Sequence, residues 1–558
     1  MKQKTIFKAP SEIILGCICV ISIMGNYMLQ GITCNDEVQL RLWGQQGLAT
    51  FFSNQIIQEG IQKGRILGFL GNVKFLGYIS DIVYVFRGIE MFFLLSAVAL
   101  MALFAFKILN NFRFSIVLCI GLLAFLPITF EPSVPNAFII VTTQPLILLL
   151  LSLIFWLDYL GESRKRFKLV VSLLLFFWGM CLYEFIITYV LLFPAIYLFK
   201  KGERVKVAPE MLFDTCKKCT PVIVVTGVYL AIYVLQGIIA PTSYSGNQVS
   251  ITSISAVTNV IIAQCISAFP GYYLINEKYR YLFNQYATKD LLNYVSIIVF
   301  FGTFLYILLF NFSNSANRQF PRHKKILILL TAFVYTLIPT LPNAITSLYQ
   351  EAVASGNFLS IPVSLNLYFA MMFFLTYLAW EVSQAVHKKV FTYSIVLIAV
   401  FVAANVQIHN RVFAKVQERD YRRFTQIEKL LESDYWNQYS GLTIYAPSLF
   451  ETRNALAIEA DHWKSYASLY QHTLNITGEQ DESEATKSLY LEMQADNSFY
   501  LYSENSLNIY IDSDSQESIG SIRVLADVNK NERAFEISEC IWQWENFKFY
   551  ELKSYDRE

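Results

Sequence analysis

Charge is scarce in this chain: Asp, Glu, Lys and Arg make up 16% of its 558 residues, against 55% hydrophobic and 16% aromatic. Soluble globular domains carry about a quarter charged residues, so this shortage excludes an ordinary water-soluble fold. Histidine is scarcer still, five in all, and His409, His462 and His472, expected outside the membrane, fall at no metal-ligand spacing. Nine cysteines yield one C-x-x-C, Cys216 and Cys219, expected on a cytoplasmic loop with two lysines between them and no second C-x-x-C to complete a zinc or redox site. Phosphate-cradling loops, glycine-rich dinucleotide fingerprints and internal repeats are absent.

What fills the chain instead is long apolar runs. About 20 apolar residues at 1.5 Å each cross a hydrocarbon core of about 30 Å. Runs near that length predict spans at 11–31, 88–106, 114–130, 137–157, 168–182, 185–199, 220–240, 291–311, 325–341, 363–380 and 391–408, about eleven in all. The fifth and sixth form one apolar run broken only at Tyr183-Glu184, which predicts a tight reversal there. Every second loop is basic: Lys2, Lys4 and Lys8, then Lys107 and Arg113, Arg164 to Lys168, Lys200 to Lys206, Arg318 to Lys325, and Lys388-Lys389. Lys and Arg accumulate on the cytoplasmic side. The N-terminus is therefore expected inside, and residues 32–87, with everything beyond about 408, outside.

Composition changes near Asn410. Residues 407–558 hold about 26 acidic and 15 basic residues, leaving the first 406 net positive. This divides the chain into a transmembrane domain, 1–406, and a soluble extracytoplasmic domain, 407–558. The latter opens with a charged helical stretch over 411–431. Alternating segments at 442–446, 499–502, 507–511, 521–526 and 547–552 then predict short strands and an α+β module.

Chemistry is sought on the outer face. Asp36 and Glu37 open the first outer loop, Arg41 follows one helical turn after Glu37, and Lys63-Gly64-Arg65 comes later. Between them, residues 38–61 mix large apolar side chains with Gln and Asn, the pattern of an interfacial amphipathic helix pair. A carboxylate at a membrane rim can accept the proton of a sugar hydroxyl about to attack an anomeric carbon. Arg65, bidentately, or Lys63, as a point charge, can hold the leaving lipid phosphate. Glu184, between two apolar runs, faces a polar cavity or pairs with a cation; a structural turn accounts for it as well as substrate binding does. Arg280, with Glu277 and Lys278, is a further contact candidate, and the tyrosines around it suit either sugar stacking or an interfacial aromatic belt.

These residues resemble the GT-C superfamily of membrane glycosyltransferases, particularly the bacterial O-antigen-modifying, polyprenyl-phosphate-sugar-dependent glucosyltransferases of the Gtr type. An acidic residue, often in a pair, opens the first outer loop in that group; it falls on Asp36, with Glu37 beside it. A later Gly-Arg matches Gly64-Arg65, and a Tyr-Glu at an outer helix junction matches Tyr183-Glu184. The likeness covers residues 11–200 in motif and 1–406 in topology. It implies an enzyme of the bacterial plasma membrane: an inverting transfer of sugar from undecaprenyl phosphate to a cell-envelope glycan, with Asp36 or Glu37 as base. Arg65, Lys63 and Arg41 would serve the donor, and Tyr183, Glu184 and Arg280 the substrate. The resemblance implies no obligatory metal, although some relatives use a divalent ion, and no nucleic acid is expected as a partner. A polysaccharide polymerase or ligase, a lipid-linked-sugar transporter and an envelope scaffold working through the acidic tail are the alternatives.

Overall fold

The computed structural model describes residues 35–63, 65, 83–127, 139–161, 166–201, 209–241, 249–270, 320–355, 364–385 and 389–432. Eight strand segments between 443 and 556 and the isolated positions 25, 28, 31 and 246 complete the description. The chain divides into two compact units, Met1–Met28 with Phe52–Ala414 and Leu29–Phe51 with Lys415–Glu558. The expected span at 291–311, and that at 11–31 apart from positions 25, 28 and 31, lie outside the described residues.

The first loop opens with helices α1 (Asn35–Gln45) and α2 (Leu48–Gln55). They are joined through Gly47, whose φ of +106° glycine adopts without strain. A π-helical turn, Ile56–Gln62, follows, and the Lys63 N–H closes it on the Gln58 carbonyl at 3.1 Å. Next come α3 (Val83–Leu109), α4 (Phe112–Ala124), α5 (Ile139–Tyr159) and α6 (Arg166–Leu182), then a 3₁₀ segment (Glu184–Leu191) leading into α7 (Leu192–Lys201). The helices α8 (Pro209–Ile239), α9 (Ile254–Ala268), α10 (Arg322–Val334), α11 (Leu341–Ala344), α12 (Ser347–Ala354), α13 (Ser364–Ala385) and α14 (Lys389–Glu432) complete the helical part.

Within a bilayer every backbone N–H and C=O must find its partner inside the protein, which is why these apolar runs are helices. Six described segments are long and apolar enough to cross: Val85–Leu109, Ile140–Tyr159, Phe213–Ile239, Arg322–Ala344, Leu365–Val382 and Ser394–Ala414. The chain is a helical membrane protein. The span on α8 is the least buried, exposing Val224, Val228, Val234, Leu235 and Ile238.

Polar side chains join the helices where apolar packing alone gives no register. Ser152 on α5 and Ser172 on α6 exchange hydroxyl-to-carbonyl hydrogen bonds at 2.7 and 2.8 Å. Helix α4 has only 13 residues, about 20 Å, too few to cross, so its last carbonyls end among other helices. Three side chains donate to carbonyls at or just past its end: Tyr368 to Leu122 O, Gln407 to Ala124 O and Asn410 to Leu126 O, each at 2.8 Å.

The chain reverses at Tyr183. A continuous helix would separate Phe176 and Phe193 by about 25 Å, yet their ring centres are 4.9 Å apart, and Trp156 Nε1 donates to the Phe193 carbonyl. Gly179 packs at this turn, with Ile186 Cγ2 3.5 Å from where a Cβ would sit, an ordinary van der Waals distance.

Three details differ from expectation. Helix α9 forms where the sequence reading named no helix; its 15 residues are shorter than a crossing requires, so it adds no span. Cys216 and Cys219 lie one turn apart within α8 rather than on a loop, with Cys219 buried. The boundary at 406/407 falls inside α14, 44 continuous residues or about 66 Å, and His409 is buried in its apolar part instead of belonging to the tail.

Beyond α14 the described backbone forms strands β1 (Thr443–Tyr445), β2 (Asn475–Thr477), β3 (Ser488–Met493), β4 (Phe499–Ser503), β5 (Asn508–Ile511), β6 (Ile522–Leu525), β7 (Arg533–Trp544) and β8 (Phe547–Asp556). They pair in the order β2-β1-β3-β4-β5-β6-β7-β8. β1 is parallel to both neighbours, and β3 to β8 form an antiparallel meander whose last hairpin is bulged near Ile537 and Cys540. Each of the five alternating sequence segments overlaps one of these strands.

Candidate functional site

The two ends of the α3–α14 bundle differ chemically. At one end Lys107 and Lys168 both reach Asp158, Lys201 pairs with Asp214 at 2.9 Å, and Lys325 pairs with Glu381 at 2.6 Å. Helix α6 starts at that end and carries the chain about 25 Å before Tyr183-Glu184, so the reversal lies at the opposite end.

There the structure brings together three residues that the sequence named in separate stretches. Tyr183 is extended (φ −154°, ψ 120°), and Glu184 is the first residue of the 3₁₀ segment. Arg65 Nε donates to Glu184 Oε2 at 3.0 Å and its Nη2 to Oε1 at 3.4 Å, a two-point contact suited to the planar guanidinium. The same guanidinium carbon stands 3.9 Å from the centre of the Tyr183 ring, a cation–π distance. Arg65's side chain is 10% exposed and Glu184's 28%, so the carboxylate is the more open partner.

Helix α8 supplies the neighbouring wall. Tyr229, Tyr233 and Gln236 are spaced i, i+4, i+7 on one helix face. Gln236 donates to the Gly60 carbonyl, tying the π-helical turn that leads to Arg65 against α8. The Tyr229 and Tyr233 rings are 6.1 Å apart, and both residues feel the charges of Glu184 and Arg65. The sequence reading missed these three; the signal was their shared helical face near the end of an apolar run.

This arrangement has two chemical capacities. The Arg65 fork can exchange its carboxylate for a phosphoryl group, which offers the same pair of oxygens. Glu184, thereby released, can accept a hydrogen bond from a hydroxyl.

The other sequence candidates fall as follows. The segment Asn35-Asp36-Glu37 opens helix α1. Glu37 and Arg41 are i, i+4 on that helix and both are buried. Lys63 caps the π-helical turn two residues before Arg65 and is half-buried. Arg280, with Glu277 and Lys278, lies outside the described residues.

A second charged pair escaped the sequence reading. Arg87 Nη1 donates to Glu90 Oε2 at 2.5 Å, one turn apart at the start of α3, and both side chains are fully buried. Opposite charges at i, i+3 across the start of the span expected at 88–106 were the legible signal. Among the described residues no three His, Cys, Asp or Glu side chains group closely enough to hold a metal ion. No protein-family model, curated protein or solved structure matches this chain.

Proposed function

We propose that this protein is a membrane glycosyltransferase that moves a sugar from a polyprenyl-phosphate carrier to a cell-envelope glycan, with inversion at the anomeric carbon. The observation that carries the reading is the meeting of Arg65, Tyr183 and Glu184 at the bundle end away from the lysines. A basic fork stacked on an aromatic ring beside a more open carboxylate suits a sugar phosphate. The reading includes about eleven spans, a cytoplasmic N-terminus and an extracytoplasmic C-terminal α+β domain; the basic opposite end supports its sidedness.

In the proposed reaction an outer-loop carboxylate takes the proton from an acceptor hydroxyl. Asp36 has that role by resemblance, with Glu37 its neighbour. The hydroxyl oxygen forms the new bond to the anomeric carbon, and the bond from that carbon to the phosphate oxygen breaks. Its electron pair leaves on the polyprenyl phosphate, whose charge Arg65 offsets, assisted by Lys63 and Arg41. Tyr183, Glu184 and Arg280 hold the sugar.

The test is sugar transfer by the purified full-length protein in liposomes, given labelled polyprenyl-phosphate sugars and an envelope-glycan extract. A new glycosidic bond formed from the lipid-linked donor, and not from a nucleotide sugar, supports the reading; no transfer from any such donor opposes it.

The fully buried Arg87–Glu90 pair, in the first turns of the span that begins at Val85, favours one second reading, a transporter of lipid-linked sugar, because buried ionisable pairs within spanning helices are a feature of such proteins. Movement of labelled donor across a sealed bilayer with no new glycosidic bond would select it.

A further inference from the structure

The bundle end remote from Arg65 carries more positive charge than its carboxylates balance. Lys107 and Lys168 share Asp158, at 2.5 and 3.4 Å. Lys324 Nζ lies 5.0 Å from the centre of the Phe199 ring, and Lys218 Nζ 5.0 Å from that of Tyr159. Lys200 feels Asp158, Lys107 and Lys324. Among the described residues neither Lys200 nor Lys324 forms an ion pair. Burial holds the Lys200 ammonium below lysine's ordinary range; Asp158 pulls it back up, while Lys107 and Lys324 push it further down.

An apolar cavity of about 110 Å³ begins against this cluster. Phe199, the ring under Lys324, is part of its wall, as are Ile108 and Leu327, which follow Lys107 and Lys325 closely in the chain. The wall runs from Ile108 back to Met101 on α3, about 10 Å of helix, and along Leu153 to Leu146 on α5. Tyr189 and Asn366 lie at its far end.

We propose that this is a binding site for an anionic phospholipid, with its phosphate on Lys107, Lys200 and Lys324 and one acyl chain entering the cavity behind Phe199. A free phosphate would use the lysines and leave the cavity unexplained; a neutral lipid would use the cavity and leave the lysines unexplained. Phe199 belongs to both features and makes them continuous. The site is independent of glycosyl transfer, which is assigned to the opposite end.

The experiment titrates the full-length protein in neutral detergent with phosphatidylglycerol, phosphatidylcholine or sn-glycerol 3-phosphate, reading bound lipid by native mass spectrometry and stability by thermal unfolding. Each ammonium near the headgroup contributes about a fivefold gain, so Lys200→Gln/Lys324→Gln loses phosphatidylglycerol affinity about 25-fold and leaves phosphatidylcholine binding unchanged. Unfolding in phosphatidylcholine shows whether that variant is folded. Ala195→Phe, which fills the cavity wall, lowers phosphatidylglycerol affinity with the lysines intact and decides the question if the lysine variant does not fold. Equal binding of the two lipids, equal protection by sn-glycerol 3-phosphate, or variants that bind like the wild type would each overturn the proposal.

Discussion

Replacing Glu184 by Gln removes a charge and keeps the shape of the site. Arg65 makes contacts of 3.0 and 3.4 Å to that carboxylate, and its side chain is only 10% exposed, so the guanidinium has little water to turn to. A hydrogen bond to a charged partner contributes about 1.5–3 kcal/mol and a neutral one about 0.5–1.5 kcal/mol, which puts the loss near 1–2 kcal/mol. The cost of breaking a fully buried pair, about 3–5 kcal/mol, is the ceiling, because Glu184 is 28% exposed and solvent screens it. Arg65→Gln also loses the stack on Tyr183, about 0.5–2 kcal/mol more. A double-mutant cycle of Glu184→Gln with Arg65→Gln, read by reversible unfolding in mixed micelles, is expected to give a coupling energy of about 1–2 kcal/mol. Additivity within roughly 0.3 kcal/mol would refute the pairing.

Other perturbations test the scaffold that holds this site. Gln407→Leu with Asn410→Leu strips two of the three donors from the end of α4 and is expected to cost about 1–3 kcal/mol per carbonyl left unsatisfied, read by the same unfolding assay. Ser152→Ala with Ser172→Ala removes a reciprocal interhelical contact and should cost about 0.6–1.7 kcal/mol, the range for polar contacts between membrane helices. Glu90→Gln leaves the Arg87 charge buried without its carboxylate and should destabilise by about 3–5 kcal/mol, whereas Arg87→Met with Glu90→Leu should be close to neutral.

Much of the helical part was legible because apolar runs in a bilayer have little choice but helix. The reversal at Tyr183 was legible because two polar residues interrupt one long apolar run. The Arg65–Glu184 partnership was not, since 119 residues separate the two and nothing local encodes a tertiary contact. Arg87 and Glu90 went unnoticed because two opposite charges hardly alter the hydropathy of a 27-residue helix. The continuity of α14 was hidden for a related reason. Composition changes sharply near Asn410, but Ala, Lys, Gln, Glu and Arg are good helix formers, so polarity switches while helix does not. Helix α9 was lost because its Ser, Thr, Asn and Gln residues shorten the apolar signal.

The central claim, that an outer carboxylate serves as base for sugar transfer from a lipid carrier, is tested most directly by single-turnover transfer in liposomes with wild type beside Asp36→Asn, Glu37→Gln and Glu184→Gln. The account predicts that Asp36→Asn lowers the chemical step by about 100-fold or more while protein level and donor binding stay unchanged. Wild-type rates in all three variants, or no transfer by the wild type itself, would contradict it.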